Sequence, residues 1–389
     1  MNLLYLSYWG LADGLTQSSV LPHLEILARM ARTNRIIFVT VERDAFSWPE
    51  LTIDKVEHVP LTSKTLGIGL LTKVVDFITF PRLLSELVTK YEVDQVLCRT
   101  ALGGALGYLL YKKDGTPFSV ESFEPHADYM LEAGVWSRFG FKYQFQKYWE
   151  LKVVHHAKSL VTVSNHYRLL LQKRYHREVH NFGCAVDLTK FRFDLRSRQQ
   201  VRKAGQWQDC IVGIYVGKFG DIYYQEKAFA IFKQAFDHFG RDFRLVILTP
   251  QDRISILENL EKSDIPSSSC LVTKVLHSEV AAYLSASDFA FSMVRPAPIR
   301  LYCSPIKDGE YWANGLPVLS AHGIGEDSEI IAEEGAGALF DDDLGNLNDA
   351  FRKIESLIEV DQRHGDIRSI AEKHRNFENL SDLYEQILR

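Results

Sequence analysis

The chain has 389 residues, 46% of them apolar and 24% charged, with a formal net charge of −5. These proportions exclude a disordered or collagen-like chain, and at roughly 150 residues per domain the length asks for two domains. There is no global basic excess to point to nucleic acid, and the five cysteines (98, 184, 210, 270 and 303) form no CxxC pair or clustered Cys/His set, which argues against a disulfide scaffold or a zinc module. The expectation is a reduced, cytoplasmic, enzyme-sized protein.

The opening MNLLYLSYWG has neither a basic n-region nor a small-residue cleavage site, so it reads as a buried first strand and not as a signal peptide. In chain order the first half predicts strands over residues 3–8, 35–42, 56–61, 94–99, 118–122 and 159–164. The second half predicts them over 211–217, 244–249, 270–275, 288–294, 317–321 and 338–340. Several, such as IVGIYVG and RLVILTP, are apolar on both faces, as strands of a parallel sheet covered by helices on both sides are. Helical stretches fall between them, for example 18–32, 225–239 and 278–286. This alternation implies a doubly wound α/β fold. The apolar stretch over 70–84 is broken by Lys73, Asp76, Pro81 and Arg82, so it does not read as a membrane span. The alternation pauses at 192–209 (RFDLRSRQQVRKAGQWQD), which is polar, and the domain seam is expected there.

Charge divides unevenly, with +3 over residues 1–190 and −8 over residues 191–389. Such asymmetry implies different partners for the two halves. Between Arg138 and Arg177 stand nine Lys/Arg and a single acid, Glu150. The stretch 135–160 interleaves these bases with Trp136, Phe139, Phe141, Tyr143, Phe145, Tyr148 and Trp149. Most of these aromatics are expected in the core, with the exposed bases free to meet an anionic membrane surface.

Residues 304–321, SPIKDGEYWANGLPVLSA, carry the strongest candidate site. Ser304 is placed to cap a helix with Pro305 at its first position, and Gly315 to end it. A helix N-terminus suits phosphate. Lys307 and Glu310 are three apart and share a face, so the carboxylate can accept from ribose hydroxyls while the lysine meets phosphate. The same spacing also describes a capped surface helix with an ordinary ion pair. IYVGKFG (214–220) ends a strand in a glycine turn, with Gly217, Lys218 and then Lys227 at the sheet edge where ligands of open α/β sheets bind. Two solvated lysines on a plain strand–helix loop is the alternative. The loop SYWGLADGLTQSS places Gly10 and Gly14 after the first strand, where glycine permits close approach of a ligand. ESFEPHADYM clusters Glu121, Glu124, His126 and Asp128 after another strand. HGIGEDS, with Gly323, Gly325 and Ser328, is close to GxGxxG but lacks the third glycine and a well-placed acid, and is not read as a dinucleotide site. No GxxxxGK[ST] or GxSxG is present.

Together these residues resemble a retaining glycosyltransferase of family 4 over nearly the whole chain. SPIKDGEYWANGLPVLSA is similar to the family block in which a Glu precedes a small-residue–Gly–x–Pro–Val turn. VGKFG with Glu226-Lys227 resembles the Gly-Arg…Glu-Lys diphosphate clamp. VSNHY and CAVDLTKF look like the run into the hinge, and HSEVAAYLSASDFAFS like the segment leading into the donor domain. Tyr302 stands where the family has the first Glu of its E-x7-E motif, and Lys218 where Arg is usual.

The resemblance implies a GT-B fold: two Rossmann-like doubly wound domains facing a central cleft, with a C-terminal helix packing back on the first. The domains would be 1–191 for acceptor, 208–370 for nucleotide sugar, and 371–389 as the returning helix. It implies transfer of a sugar from a nucleotide-diphosphate sugar to a glycan or lipid-linked acceptor, with retention and no metal or other cofactor, in cell-surface polysaccharide or glycolipid synthesis. Catalytic residues would be His126, Lys218, Lys227 and Glu310. Donor contacts would come from Gly14, Gly217, Lys218, Lys227, His277, Ser304, Lys307 and Glu310, and acceptor contacts from Glu124 and Asp128. A GT-B sugar-nucleotide epimerase and a degenerate nucleotide-sugar binder are the alternatives. The expected setting is cytoplasmic and membrane-peripheral, with no nucleic-acid partner.

Overall fold

The computed structural model describes residues 1–43, 51–64, 69–360 and 362–389. They divide into two units, Met1–Cys184 with Phe377–Arg389, and Ala185–Asn376.

The first unit runs β1 (Asn2–Leu6), α1 (Leu21–Arg29), β2 (Arg35–Glu42), β3 (Val56–Thr62), α2 (Gly69–Tyr91), β4 (Gln95–Arg99) and α3 (Thr100–Asp114). It continues β5 (Phe118–Phe123), α4 (His126–Glu132), α5 (Phe141–His156), β6 (Leu160–Thr162), α6 (Asn165–Tyr175) and β7 (His180–Asn181). The seven strands lie in the order β3-β2-β1-β4-β5-β6-β7. All pairs are parallel, with Leu3 opposite Ile36 on one side and Gln95 on the other. Leu3 to Leu6 and Ile36 to Val39 are fully buried, because helices cover both faces of the sheet. α3 lies close on it through glycines: a Cβ at Gly107 would stand 2.5 Å from the Cys98 sulfur.

The second unit runs α7 (Leu195–Gly205), β8 (Ile211–Val216), α8 (Glu226–Phe239), β9 (Phe243–Leu248), α9 (Arg253–Lys262), β10 (Cys270–Thr273) and α10 (His277–Ala286). It continues β11 (Phe289–Phe291), α11 (Ile306–Ala313), β12 (Val318–Ala321), α12 (Asp327–Glu334), β13 (Gly337–Phe340), α13 (Leu347–Ile358) and α14 (Arg363–His374). Its six parallel strands lie in the order β10-β9-β8-β11-β12-β13. Phe229, Phe232, Phe243, Phe289, Phe291, Phe340 and Phe351 fill one face of the sheet. Gly213 in β8 makes room for them, since a Cβ there would stand 2.7 Å from the Phe291 ring. The strand order reverses between β1 and β4 in one unit and between β8 and β11 in the other, the crevice position at which open α/β sheets bind ligands.

All twelve expected strands form, with ends moved by up to three residues, and the two-residue β7 is added. The seam differs from the expectation. It falls between Cys184 and Ala185, upstream of 192–209. That segment is polar because it is the surface helix α7, capped by Asp194, which accepts from the Ser197 N–H at 2.6 Å. Arg198 (2.7 Å) and Arg202 tie it to the buried Asp288 of the second unit. The unit therefore starts before 208 and runs past 370 through α14.

The last helix, α15 (Leu380–Ile387), belongs to the first unit and packs on α1. Its buried Tyr384 hydroxyl donates to Glu121 at 2.6 Å, and His23 lies 2.7 Å from the same hydroxyl. Arg99 donates to Glu121 at 3.0 Å and to the His23 Nε2 at 3.4 Å. Burial holds the His23 imidazole low. Burial pushes the Glu121 carboxyl up, but His23 and Arg99 together hold it below the ordinary range. Among the described residues no helix is long and apolar enough to cross a membrane.

Candidate functional site

The second unit assembles a carboxylate-centred site at the start of α11. Glu310 is 1% exposed, the usual cost of a buried charge being offset by two partners. Lys307 Nζ lies 2.7 Å from one oxygen and His277 Nε2 3.5 Å from the other. Burial raises the carboxyl, but Lys307 and then His277 bring it below its ordinary value, so it is ionised. Lys307 and His277 are themselves partly exposed, which gives this fixed anion an open side. Glu310, Lys307 and His277 are thus brought together.

Ser304 sits elsewhere. Pro305, not Ser304, occupies the cap position of α11. Ser304 is buried, and its hydroxyl accepts from Arg375, which also pairs with Asp327 of α12. The reason lies in HGIGEDS: a Cβ at Gly325 would stand 2.1 Å from the Cys303 carbonyl, so this glycine lets α12 start directly against the turn before α11. The lookalike motif is a packing device, and Arg375 and Asp327 are supporting residues that sequence reasoning missed. Asp308, buried beside Asp327, has its carboxyl raised well above the ordinary range by burial and by that neighbour.

Lys218 and Lys227 each meet a carboxylate. Lys218 follows β8 and Gly217, and lies 2.5 Å from Asp221. Lys227, in the first turn of α8, lies 2.8 Å from Asp342 and 5.2 Å above the Tyr224 ring. Tyr224 donates to the same Asp342 at 2.5 Å. Gly217 is held on β9 by its N–H to the Leu248 carbonyl at 3.0 Å. The two counter-ions carried no signal in the sequence, since both aspartates lie in loops.

In the first unit, Glu124, His126 and Asp128 follow β5 at its carboxyl end. Ser122 (φ 52°) and Thr100 (φ 62°) are left-handed at the ends of β5 and β4, and strain of this kind concentrates at functional edges. His126 keeps an exposed face and meets Trp136 edge-on at 5.5 Å. Surrounding protein and then the Lys73 charge hold its imidazole below the ordinary value. Asp128 is engaged by α5, 2.6 Å from Lys147 and 3.0 Å from the Tyr143 hydroxyl. The buried Glu150 of α5 accepts the Ala127 N–H at 2.9 Å and so anchors the first turn of α4; burial pushes its carboxyl up to about 7. Gly14 has open space around it. Gly10 is the constrained glycine of that loop, where a Cβ would stand 2.5 Å from a Glu42 oxygen.

The aromatics of 135–160 correct the core expectation. Phe139 (90%), Phe141 (63%) and Tyr148 (52%) are exposed, and Trp136, Tyr143, Phe145 and Trp149 are half-buried. Phe145 and Trp149 turn inward onto Phe77, and α5 is too close to the surface to bury the rest. Among the described residues no group of three or more His, Cys, Asp or Glu is placed to hold a metal ion.

No protein-family model and no curated protein matches the chain. Among solved structures it is similar to a sucrose-phosphate synthase from Thermosynechococcus elongatus, at 15% identity and TM-score 0.77 over 100% of this chain and 99% of that one. It is similar to Anabaena HepE in complex with UDP-glucose, at 14% identity and TM-score 0.70 over 100% and 99%. WaaG, a glycosyltransferase involved in lipopolysaccharide biosynthesis, matches at 14% identity and TM-score 0.65 over 98% and 99%. The likeness is one of fold: two parallel-sheet α/β Rossmann-like domains of the GT-B kind.

Proposed function

We propose that the chain is a family 4-like, retaining glycosyltransferase that moves a hexosyl group from a nucleoside-diphosphate sugar to a glycan or lipid-linked acceptor. The observation that carries this is the buried, ionised Glu310 held between Lys307 and His277 at the start of α11. A fixed carboxylate accepts from the two ribose hydroxyls, and the lysine and helix start meet the diphosphate beyond them. A GT-B neighbour crystallised with UDP-glucose supports a nucleotide-sugar donor.

In the reaction the bond from the sugar's anomeric carbon to the diphosphate breaks, and the acceptor oxygen bonds to that carbon on the same face. The acceptor proton passes to the departing diphosphate oxygen. The diphosphate leaves as a polyanion, so positive groups preorganised at that charge lower the barrier. Lys218 and Lys227 supply them by exchanging Asp221 and Asp342 for phosphate oxygens, and no metal is required. Gly217 and Gly14 give backbone approach to the donor. Ser304 acts indirectly, holding the turn before α11. His126 positions the transferred sugar. Glu124 orients the acceptor, and Asp128 supports it through α5.

The assigned setting is the cytoplasmic side of a membrane, in cell-surface polysaccharide or glycolipid assembly. Exposed Phe139, Phe141 and Tyr148 among Arg138, Lys142 and Lys152 suit a peripheral contact with anionic lipid. The test is incubation with UDP- and GDP-sugars. Slow nucleotide release that Glu310→Ala abolishes supports transfer. An epimerised nucleotide sugar, or tight binding with no turnover across a broad acceptor panel, overturns it.

A further inference from the structure

Three cations stand at the carboxyl edge of the first sheet. Arg43 directly follows β2, and its guanidinium lies 5.4 Å above the ring of Tyr8, which follows β1. Tyr8 donates to Asp76 of α2 at 2.6 Å, and Lys73 lies one turn before Asp76 on the same face of that helix. Phe77 of α2 packs on Phe145 of α5 at 5.5 Å, and Lys142 lies one turn before Phe145. Lys73 thus lies one turn from the Tyr8–Asp76 pair beneath Arg43, and Lys142 one turn from the Phe77–Phe145 contact, on elements that follow β1, β2 and β5 at the edge that also carries the His126 loop.

Among the described residues none of Arg43, Lys73 and Lys142 has a carboxylate partner. The nearby acids are committed elsewhere: Asp76 to Tyr8 and to Ser63 at 2.8 Å, and Glu42 to Thr40 at 2.6 Å and the Leu11 N–H at 2.8 Å. Lys73 is half-buried, so its charge is not fully solvated. Burial lowers its ammonium, and the Arg43 and Lys142 charges lower it further. A cluster of like charges at a ligand-binding edge is relieved by an anion that all three reach.

We infer that Arg43, Lys73 and Lys142 bind a phosphate group of the acceptor, beside His126, so that the acceptor is a phosphorylated sugar or a phospholipid-linked one and not a neutral glycan. The word acceptor rests on the transferase reading above; the anion site itself does not.

The experiment titrates the full chain, with UDP added to occupy the nucleotide site, against inorganic phosphate, glucose 6-phosphate and glucose by calorimetry. Phosphate and glucose 6-phosphate bind and glucose does not. Lys73→Met weakens both by about tenfold or more, as loss of a charge-assisted contact does. Lys142→Gln, an exposed change that leaves the fold intact, weakens them about threefold. If only vesicles containing phosphatidylglycerol are retained, and Lys73→Met releases them, the phosphate is a lipid headgroup. Phosphate affinity that is unchanged in both variants overturns the site, as does failure of phosphate, glucose 6-phosphate and the vesicles alike to bind. UDP binding that is lost in Glu310→Ala reports separately on the donor reading, so its absence would leave a positive phosphate result standing.

Discussion

In the second unit Lys218, Lys227 and Lys307 each reach a carboxylate, at 2.5, 2.8 and 2.7 Å from Asp221, Asp342 and Glu310. In the first unit Arg43, Lys73 and Lys142 reach none among the described residues. The second unit thus carries its own counter-ions. On the proposed donor reading, a diphosphate would compete there with two exposed pairs, which bind weakly and are screened by salt. On the inference above, the first unit takes the neutralising charge from its ligand. The contrast is between two ways of arranging cations at a sheet edge: pairing each with an exposed carboxylate, or spacing them without one among the described residues.

The largest expected effect concerns the scaffold behind the second site. Arg375→Met strips the buried Asp327 of its partner and the Ser304 hydroxyl of its donor, and should cost about 3–5 kcal/mol in urea unfolding. A loss under about 1 kcal/mol would mean that the carboxyl pair Asp308–Asp327 is stable unaided. Next comes Glu310→Ala, expected to weaken UDP about 100- to 1,000-fold by calorimetry, since charged hydrogen bonds to two hydroxyls are lost. Unchanged UDP affinity would remove the second unit's claim to the donor.

The third concerns the first unit alone. Glu150 is raised to about 7 by burial, against an ordinary 4.5. Its protonation therefore adds stability that is complete below about pH 4.5 and lost as the pH rises through about 7. Glu150→Gln removes that dependence, so between pH 4.5 and 7.5 the variant should gain on the wild type by about 3 kcal/mol in chemical unfolding. Parallel stability curves would show that Glu150 is ionised throughout. The smallest effect separates the two charge strategies most directly. Asp221→Asn or Asp342→Asn frees a lysine and should tighten UDP about two- to fivefold at low salt, with the gain gone at high salt. Weaker UDP binding in either variant would make the aspartates part of the site.

The sheets were legible because a buried parallel strand is apolar on both faces, and runs such as IVGIYVG have no other reading. β7 was missed because two residues carry no period. The i,i+3 spacing of Lys307 and Glu310 announced their pairing, since helix geometry is local. His277 came from the family resemblance, because residues 277 and 310 share no local pattern. Arg375, Asp342 and the Arg43–Lys73–Lys142 group were invisible for the same reason: each depends on loops or helices brought together only by the folded sheet, whereas Asp221 is three residues from Lys218 but in a turn, where that spacing carries no fixed geometry. The aromatics of 135–160 misled because composition alone does not say which face of α5 meets Phe77.

The buried cluster of His23, Arg99, Glu121 and Tyr384 has a consequence for the order of events during synthesis. The first unit claims residues from both ends of the chain, with the whole second unit threaded between Cys184 and Phe377. Synthesis proceeds from the N-terminus and domains generally fold as units as they emerge. Here the earlier unit has to wait: Glu121 lacks the Tyr384 hydroxyl until the second unit has been made. The nascent first half therefore holds all seven strands but an uncovered α1 face while 192 residues of the second unit are made, a window in which chaperone contact would be expected and which removal of α15 would leave permanently open.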